Sequence, residues 1–192
     1  RNDEVITAFG DNSFGQCEVP PLPDGLAFVE LAAAGDHTVA RTGASEKPQV
    51  YCTGKTNPAG CRPSISAYGI PYASASAGFV VAASGAPNGR AGLLLYGTTG
   101  KASVPFQGGT LCVAQPVRRT PVRFASGSLP PIHACDGAWR IDMNAFASGM
   151  LGGAPHPALG TPGSVVYCQW TGRDPNDPFK SSLTDALSYS VG

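Results

Sequence analysis

Charge is scarce in this 192-residue sequence: Asp, Glu, Lys and Arg make up 14% of it, in equal numbers of each sign, and the net charge is zero. Neither sign forms a run, so nothing draws the chain to a phosphate backbone or an anionic lipid surface. The densest basic spot, Arg118 and Arg119 with Arg123, reads as a solvated strand end. No apolar stretch reaches the roughly 18 residues that a membrane span needs. The opening RNDEVITAFG lacks the apolar core of a signal peptide, so an export signal is expected to have been removed or to lie upstream. Catalytic vocabulary is thin. There is no GxSxG elbow, and the three histidines, His37, His133 and His156, sit in turn-like or proline-flanked contexts. Nothing announces two carboxylates facing each other across a cleft, as glycoside hydrolysis requires. No amphipathic helical period is sustained anywhere, which excludes a helical bundle.

Glycine and proline are abundant instead, 25 and 18 residues, and 42% of the chain is hydrophobic. Without a Gly-X-Y period the collagen reading fails, and the apolar runs between breakers argue against disorder. Many short strands joined by turns fit best. Strands are expected at Val5–Phe9, in FVELAAAG and HTVAR, and in SEKPQVYC, the last at a sheet edge because of its proline. Between them VPPLPDG is a rigid connector. A shift in character follows at about residue 46, and residues 63 to 77 are small, polar and alternating. Further strands are expected at Phe79–Ala83, Gly92–Tyr96 and Thr110–Gln115, with LLLY buried on both faces. Trp139, Ile141 and Met143 alternate with Arg140, Asp142 and Asn144, so DGAWRIDMNAF reads as a strand, with one helical turn allowed in NAFASGML. Ser164–Trp170 is the clearest strand, and LTDALSYSV supplies a last one. The fold class is all-β: a β-sandwich or jelly-roll-like domain over residues 47–192, preceded by a short β segment over residues 1–46.

Six cysteines occur, none in CxxC spacing, and three histidines are poor co-ligands for zinc. Disulfides are the better reading, and they imply a secreted, periplasmic or cell-surface location. Cys52 and Cys61 flank TGKTNPAG, a loop short enough to be closed by a local bridge. The remaining four are assigned as Cys112–Cys135 and Cys17–Cys168, a pairing that spacing alone leaves open.

Two resemblances bear on the organisation. AFGDNSFGQ (Ala8–Gln16), VPP (Val19–Pro21) and VELAAAGDHTVA (Val29–Ala40) resemble the repeat of the regulator-of-chromosome-condensation propellers in their bacterial secreted form. That resemblance implies one incomplete blade and gives His37 a structural role in a turn. A closed ring needs about 4–8 blades. From about Gln49 onward the chain resembles a C-terminal domain of large secreted or surface proteins of planctomycetes and myxobacteria. YCTGKTNPAGC, GLLLYGTTGKASVPFQGGTLCV, the Arg-Arg-Thr-Pro that follows, IDMNAFASG, PGSVVYCQWTGRDPNDPF and LTDALSYS carry it. The resemblance implies a terminal module of a surface protein and brings no catalytic residues. Two departures stand out: Thr171 replaces an expected aromatic, and the chain ends in SYSVG where such domains carry a late cysteine. Cys17 could stand in for that cysteine.

Two non-catalytic sites remain to be weighed. Asp174, Asn176 and Asp177 in GRDPNDP could offer oxygen ligands to calcium; an Asx-turn with an Arg173 salt bridge is the structural alternative. Trp139 and Trp170 could stack on a glycan, although core packing is the default for tryptophan in such a domain. Alternation sets Cys168 and Trp170 on the opposite face from Tyr167 and Gln169, so one aromatic should point outward. The expectation is a secreted, non-catalytic structural or adhesive β domain. It would be the protomer of an extracellular filament or surface assembly, joined to identical subunits through its N-terminal segment. The alternative is a carbohydrate-binding module taking polysaccharide. No nucleic acid, membrane span or cofactor is expected, calcium being the one ion the sequence admits.

Overall fold

The computed structural model describes residues 8–20, 26–35, 37–44, 47–128 and 135–192. The chain divides into two units, Arg1–Lys47 together with Gly192, and Pro48–Val191. In the first, β1 (Leu26–Ala34) and β2 (His37–Ala44) form an antiparallel hairpin, with a register shift between Phe28 and Glu30. Ala8 and Phe9 lie outside any strand, and the rest of the strand expected there falls outside the described residues.

The second unit is all-β and sandwich-like. Its strands are β3 (Gln49–Tyr51), β4 (Ser64–Gly69), β5 (Phe79–Ala86), β6 (Ala91–Gly97), β7 (Lys101–Phe106), β8 (Gly109–Val113), β9 (Arg118–Arg119), β10 (Arg123–Phe124), β11 (Gly137–Asp142), β12 (Val165–Arg173) and β13 (Ser181–Ser190). The larger sheet runs β10-β6-β12-β13-β3, with β9 also on the outer edge of β6; the smaller runs β11-β5-β4. β3 is an edge strand, as its proline-led sequence suggested. Between the two sheets lies the main core, which includes Phe79, Val81, Leu94, Tyr96, Trp139, Ile141, Val166, Cys168, Trp170, Leu187 and Tyr189.

Trp139 sets the spacing of this core. Its indole lies over Gly92 and Gly172, which face each other across β6 and β12, and a β-carbon on either would overlap the ring. The ring nitrogen donates to the Arg90 carbonyl at 2.8 Å, and the ring stacks with Trp170 at 5.9 Å and 22°. Trp170 sits at a register shift between β12 and β13, where its backbone N–H donates to the Thr184 hydroxyl at 3.0 Å.

A third layer covers the far face of the larger sheet. The hairpin β7–β8 packs Leu111, Val113 and Phe106 on Leu93, Leu95 and Tyr167. Its two-residue turn, Gln107-Gly108, has φ of 49° and 72°, the twist that tight hairpins need. Pro105 is tolerated in β7 because that strand has a partner on one side only. Gln169, fully buried between sheet and hairpin, fastens the layers. Its carbonyl accepts from Cys112 N–H at 3.0 Å, and its amide donates to the carbonyls of Thr110 (3.0 Å) and Thr184 (2.8 Å). LLLY is therefore covered on both faces, as expected. One of Trp170 and Tyr167 was expected to point outward; instead Trp170 is in the core, and Tyr167, on the opposite face, meets the hairpin layer and sets its ring edge-on to Tyr51 at 6.3 Å.

The strand expected through Asn144 stops at Asp142. That carboxylate caps helix α1 (Met143–Ala147) by accepting from Ala145 N–H at 3.0 Å, and also accepts from Gly78 N–H at 2.7 Å. Among the described residues no helix is long and apolar enough to cross a membrane.

Because Gly172 and Gly92 each abut the indole, Gly172→Ala and Gly92→Ala are expected to overpack the core and cost about 1–3 kcal/mol each. Denaturant midpoints will show this, with Gly149→Asn, at an open positive-φ position, near wild type.

Candidate functional site

The loop between β12 and β13 is shaped by its own carboxylates. Asp174 accepts from Asn176 N–H at 3.0 Å, and Asp177 from Phe179 N–H at 2.9 Å, two successive Asx-turns. What tethers them is Lys55, not Arg173. The Lys55 ammonium lies 2.5 Å from an Asp177 oxygen and also donates to the carbonyls of Gln107 (2.7 Å) and Ser181 (3.2 Å). Both side chains of the pair are buried, 7% and 3% exposed. Beside them Asn57 donates to Asp174 at 2.7 Å. Burial opposes ionisation of Asp177, but the Lys55 ammonium and the Phe179 N–H outweigh it and hold its carboxyl below the usual range. These are the residues that could have offered oxygen ligands to calcium; they form the Asx-turns of the structural alternative instead, with Lys55 in place of Arg173 as the cation. No cluster of three or more His, Cys, Asp or Glu that could hold a metal occurs among the described residues.

Next to this knot a cleft of about 530 Å³ opens on the outer face of the larger sheet. Leu93, Leu95 and Thr171 line it from the sheet, and Phe106 and Gln107 from the β7–β8 turn. Arg119, Arg173 and Lys180 bring three cations, and no acidic residue lines it. Phe179, largely exposed at its mouth, rests against Gly108, where a β-carbon would overlap the ring, and lies under the Lys55 ammonium at 5.1 Å. The sequence alone did not reveal this site, since its residues come from five separate segments. The Arg-Arg pair it did single out is exposed on β9 and lends Arg119 to the cleft.

The two tryptophans do not form a platform. Both are fully buried and stacked on each other, so neither offers a ring face to a sugar. The disulfides also differ from expectation. Cys52 bonds to Cys112, and Cys61 to Cys135, while Cys17 and Cys168 are free. The expected local bridge between Cys52 and Cys61 does not form; within that loop Asn57 closes a tighter turn onto Cys61. Its side chain accepts from Cys61 N–H at 2.8 Å, and its backbone N–H donates to the Cys61 carbonyl at 3.0 Å. Cys168 is sealed in the core, and burial pushes its thiol up, which makes it unreactive.

Of the histidines, His37 is exposed at the start of β2, and His133 lies outside the described residues. His156 begins a 3-10 turn (Pro157–Gly160): its Nδ1 accepts from Ala158 N–H at 3.2 Å, and its backbone N–H donates to the Tyr96 hydroxyl at 3.1 Å. Comparison with protein-family models, with curated proteins and with solved structures returns no match.

Two outcomes follow from the Lys55–Asp177 pair. Lys55→Met strands a buried carboxylate and is expected to cost about 3–5 kcal/mol, whereas Lys55→Met with Asp177→Leu recovers most of it; urea titration of the set will show this. A carboxyl held low when folded contributes stability above its unfolded value of about 3.9, and that contribution disappears as pH falls through the lowered folded value. Melting of the wild type should therefore drop more steeply below about pH 4 than melting of Asp177→Asn.

Proposed function

We propose that this chain is a secreted, non-catalytic structural or adhesive protomer that associates with identical copies through its N-terminal unit. The β1–β2 hairpin carries this reading. Among the described residues each of its strands pairs only with the other, so both outer edges keep backbone donors and acceptors free. Leu31 and Val39 stand on opposite faces of it, 54% and 59% exposed. A lone two-stranded hairpin is marginal in water, and an uncovered edge is a template for another strand. A second copy meets both needs by strand addition. A contact between one copy's hairpin and a different surface of the next is heterologous, so repetition yields a ring or a filament. The two long-range disulfides of the second unit suit an oxidising, extracellular setting.

Sedimentation velocity across a range of protein concentrations tests the reading. Wild type should form species larger than a monomer, and Leu31→Asp with Val39→Asp should weaken association at least about tenfold, or about 1.4 kcal/mol. Fluorescence of Trp139 and Trp170, both in the second unit, should stay unchanged in that variant. A wild type that remains monomeric throughout ends the proposal.

A further inference from the structure

The zero net charge conceals a division that an even spread of charges would not give. Arg1–Lys47 holds eight acidic and three basic side chains, a formal charge of −5, while Pro48–Val191 holds five acidic and ten basic, +5. The protomer is thus bipolar along its sequence. Two surfaces give this asymmetry a location.

On the basic unit it is the cleft. Arg119 and Arg173 are exposed and have no carboxylate within ion-pair distance among the described residues. The Lys180 ammonium donates to the Pro175 carbonyl at 2.8 Å and has no carboxylate within ion-pair distance among the described residues. Beside these cations, Leu93, Phe106 and Phe179 offer apolar surface, so the cleft suits an occupant with negative charge and an apolar anchor.

On the acidic unit the loop Phe9–Glu18 has that composition. Phe9 and Phe14 are 91% and 92% exposed, and Asp11 and Glu18 are exposed beside them. The loop is tied by its own side chains. Asp11 accepts from Ser13 N–H at 3.0 Å, Asn12 from Cys17 N–H at 2.7 Å, and Gln16 from Phe14 N–H at 2.8 Å. A loop already ordered loses little entropy on docking, and an aromatic held out from it is a typical interface anchor.

We propose that the loop Phe9–Glu18 of one copy docks in the Arg119–Arg173–Lys180 cleft of the next. Phe14 enters the apolar part, and Asp11 and Glu18 face the cations. This rests on the self-association reading and names its second contact surface. Because loop and cleft are different patches, the contact runs head to tail.

A charge swap in the full chain tests it, read by sedimentation velocity at low and high salt. Arg119→Glu with Arg173→Glu makes the cleft acidic. Asp11→Asn with Glu18→Lys makes the loop basic while keeping the side-chain acceptor that Ser13 uses. Wild-type association should weaken as salt rises, and each variant alone should associate at least about tenfold more weakly than wild type. Mixed in equal amounts, the two should assemble again, since each acidic surface then meets a basic one. Wild type that stays monomeric at low salt overturns both the docking and the self-association on which it rests. Wild type that assembles while the cleft variant assembles equally well overturns the docking alone. So does a mixture no larger than its separate components.

Discussion

The contact between Trp139 and the Gly92–Gly172 pair governs the arrangement of everything around it. An indole can lie flat on a sheet only where facing strands offer no side chains, and two glycines in register supply that seat. Burying such a ring removes on the order of 150–250 Å² from water, which at roughly 25 cal/mol per Å² is on the order of 4–6 kcal/mol before entropy is counted. The hydrogen bond to Arg90 fixes the ring's orientation, and Trp170 fills the space beside it. The two sheets are thereby held face to face by one large side chain at close approach.

The same seat shapes the opposite face. Leu93 and Thr171, neighbours of the two glycines along β6 and β12, turn outward and line the cationic cleft. The inner core and the outer site are thus two sides of one strand pair. Gln169 and the Lys55–Asp177 pair then hold the third layer, each spending buried polar groups on backbone that would otherwise lack partners. Such groups add little net energy but allow few alternative arrangements of the hairpin and loop they join.

Much of the strand inventory was legible because alternation and turn chemistry are local. SVVYCQW, LLLY and FVELAAAG with HTVAR became strands where the pattern placed them. The misses have local reasons too. No strand was expected at β7, where Pro105 interrupts the pattern and is tolerated only because the strand pairs on one side. Asp142 ended a strand by capping a helix, a choice the alternating pattern could not register. The candidate site was almost illegible. The cleft needs Leu93, Phe106, Arg119 and Phe179 at one place, and nothing in their spacing says so. The division of charge between the units was readable from the sequence, yet it vanished in the zero total and in the absence of charged runs.

By itself the sequence determined the all-β class, the positions of most strands and a pool of cysteines suited to disulfides, because each depends on neighbours along the chain. Only the tertiary structure decided the rest. It paired Cys52 with Cys112 and Cys61 with Cys135 because the fold brings segments 60 and 74 residues apart in sequence together. It turned a calcium-like acidic loop into the partner of Lys55, and it hid both tryptophans. These outcomes depend on which surfaces meet across layers, and a pattern with a period of two residues carries no information about what lies on the other side.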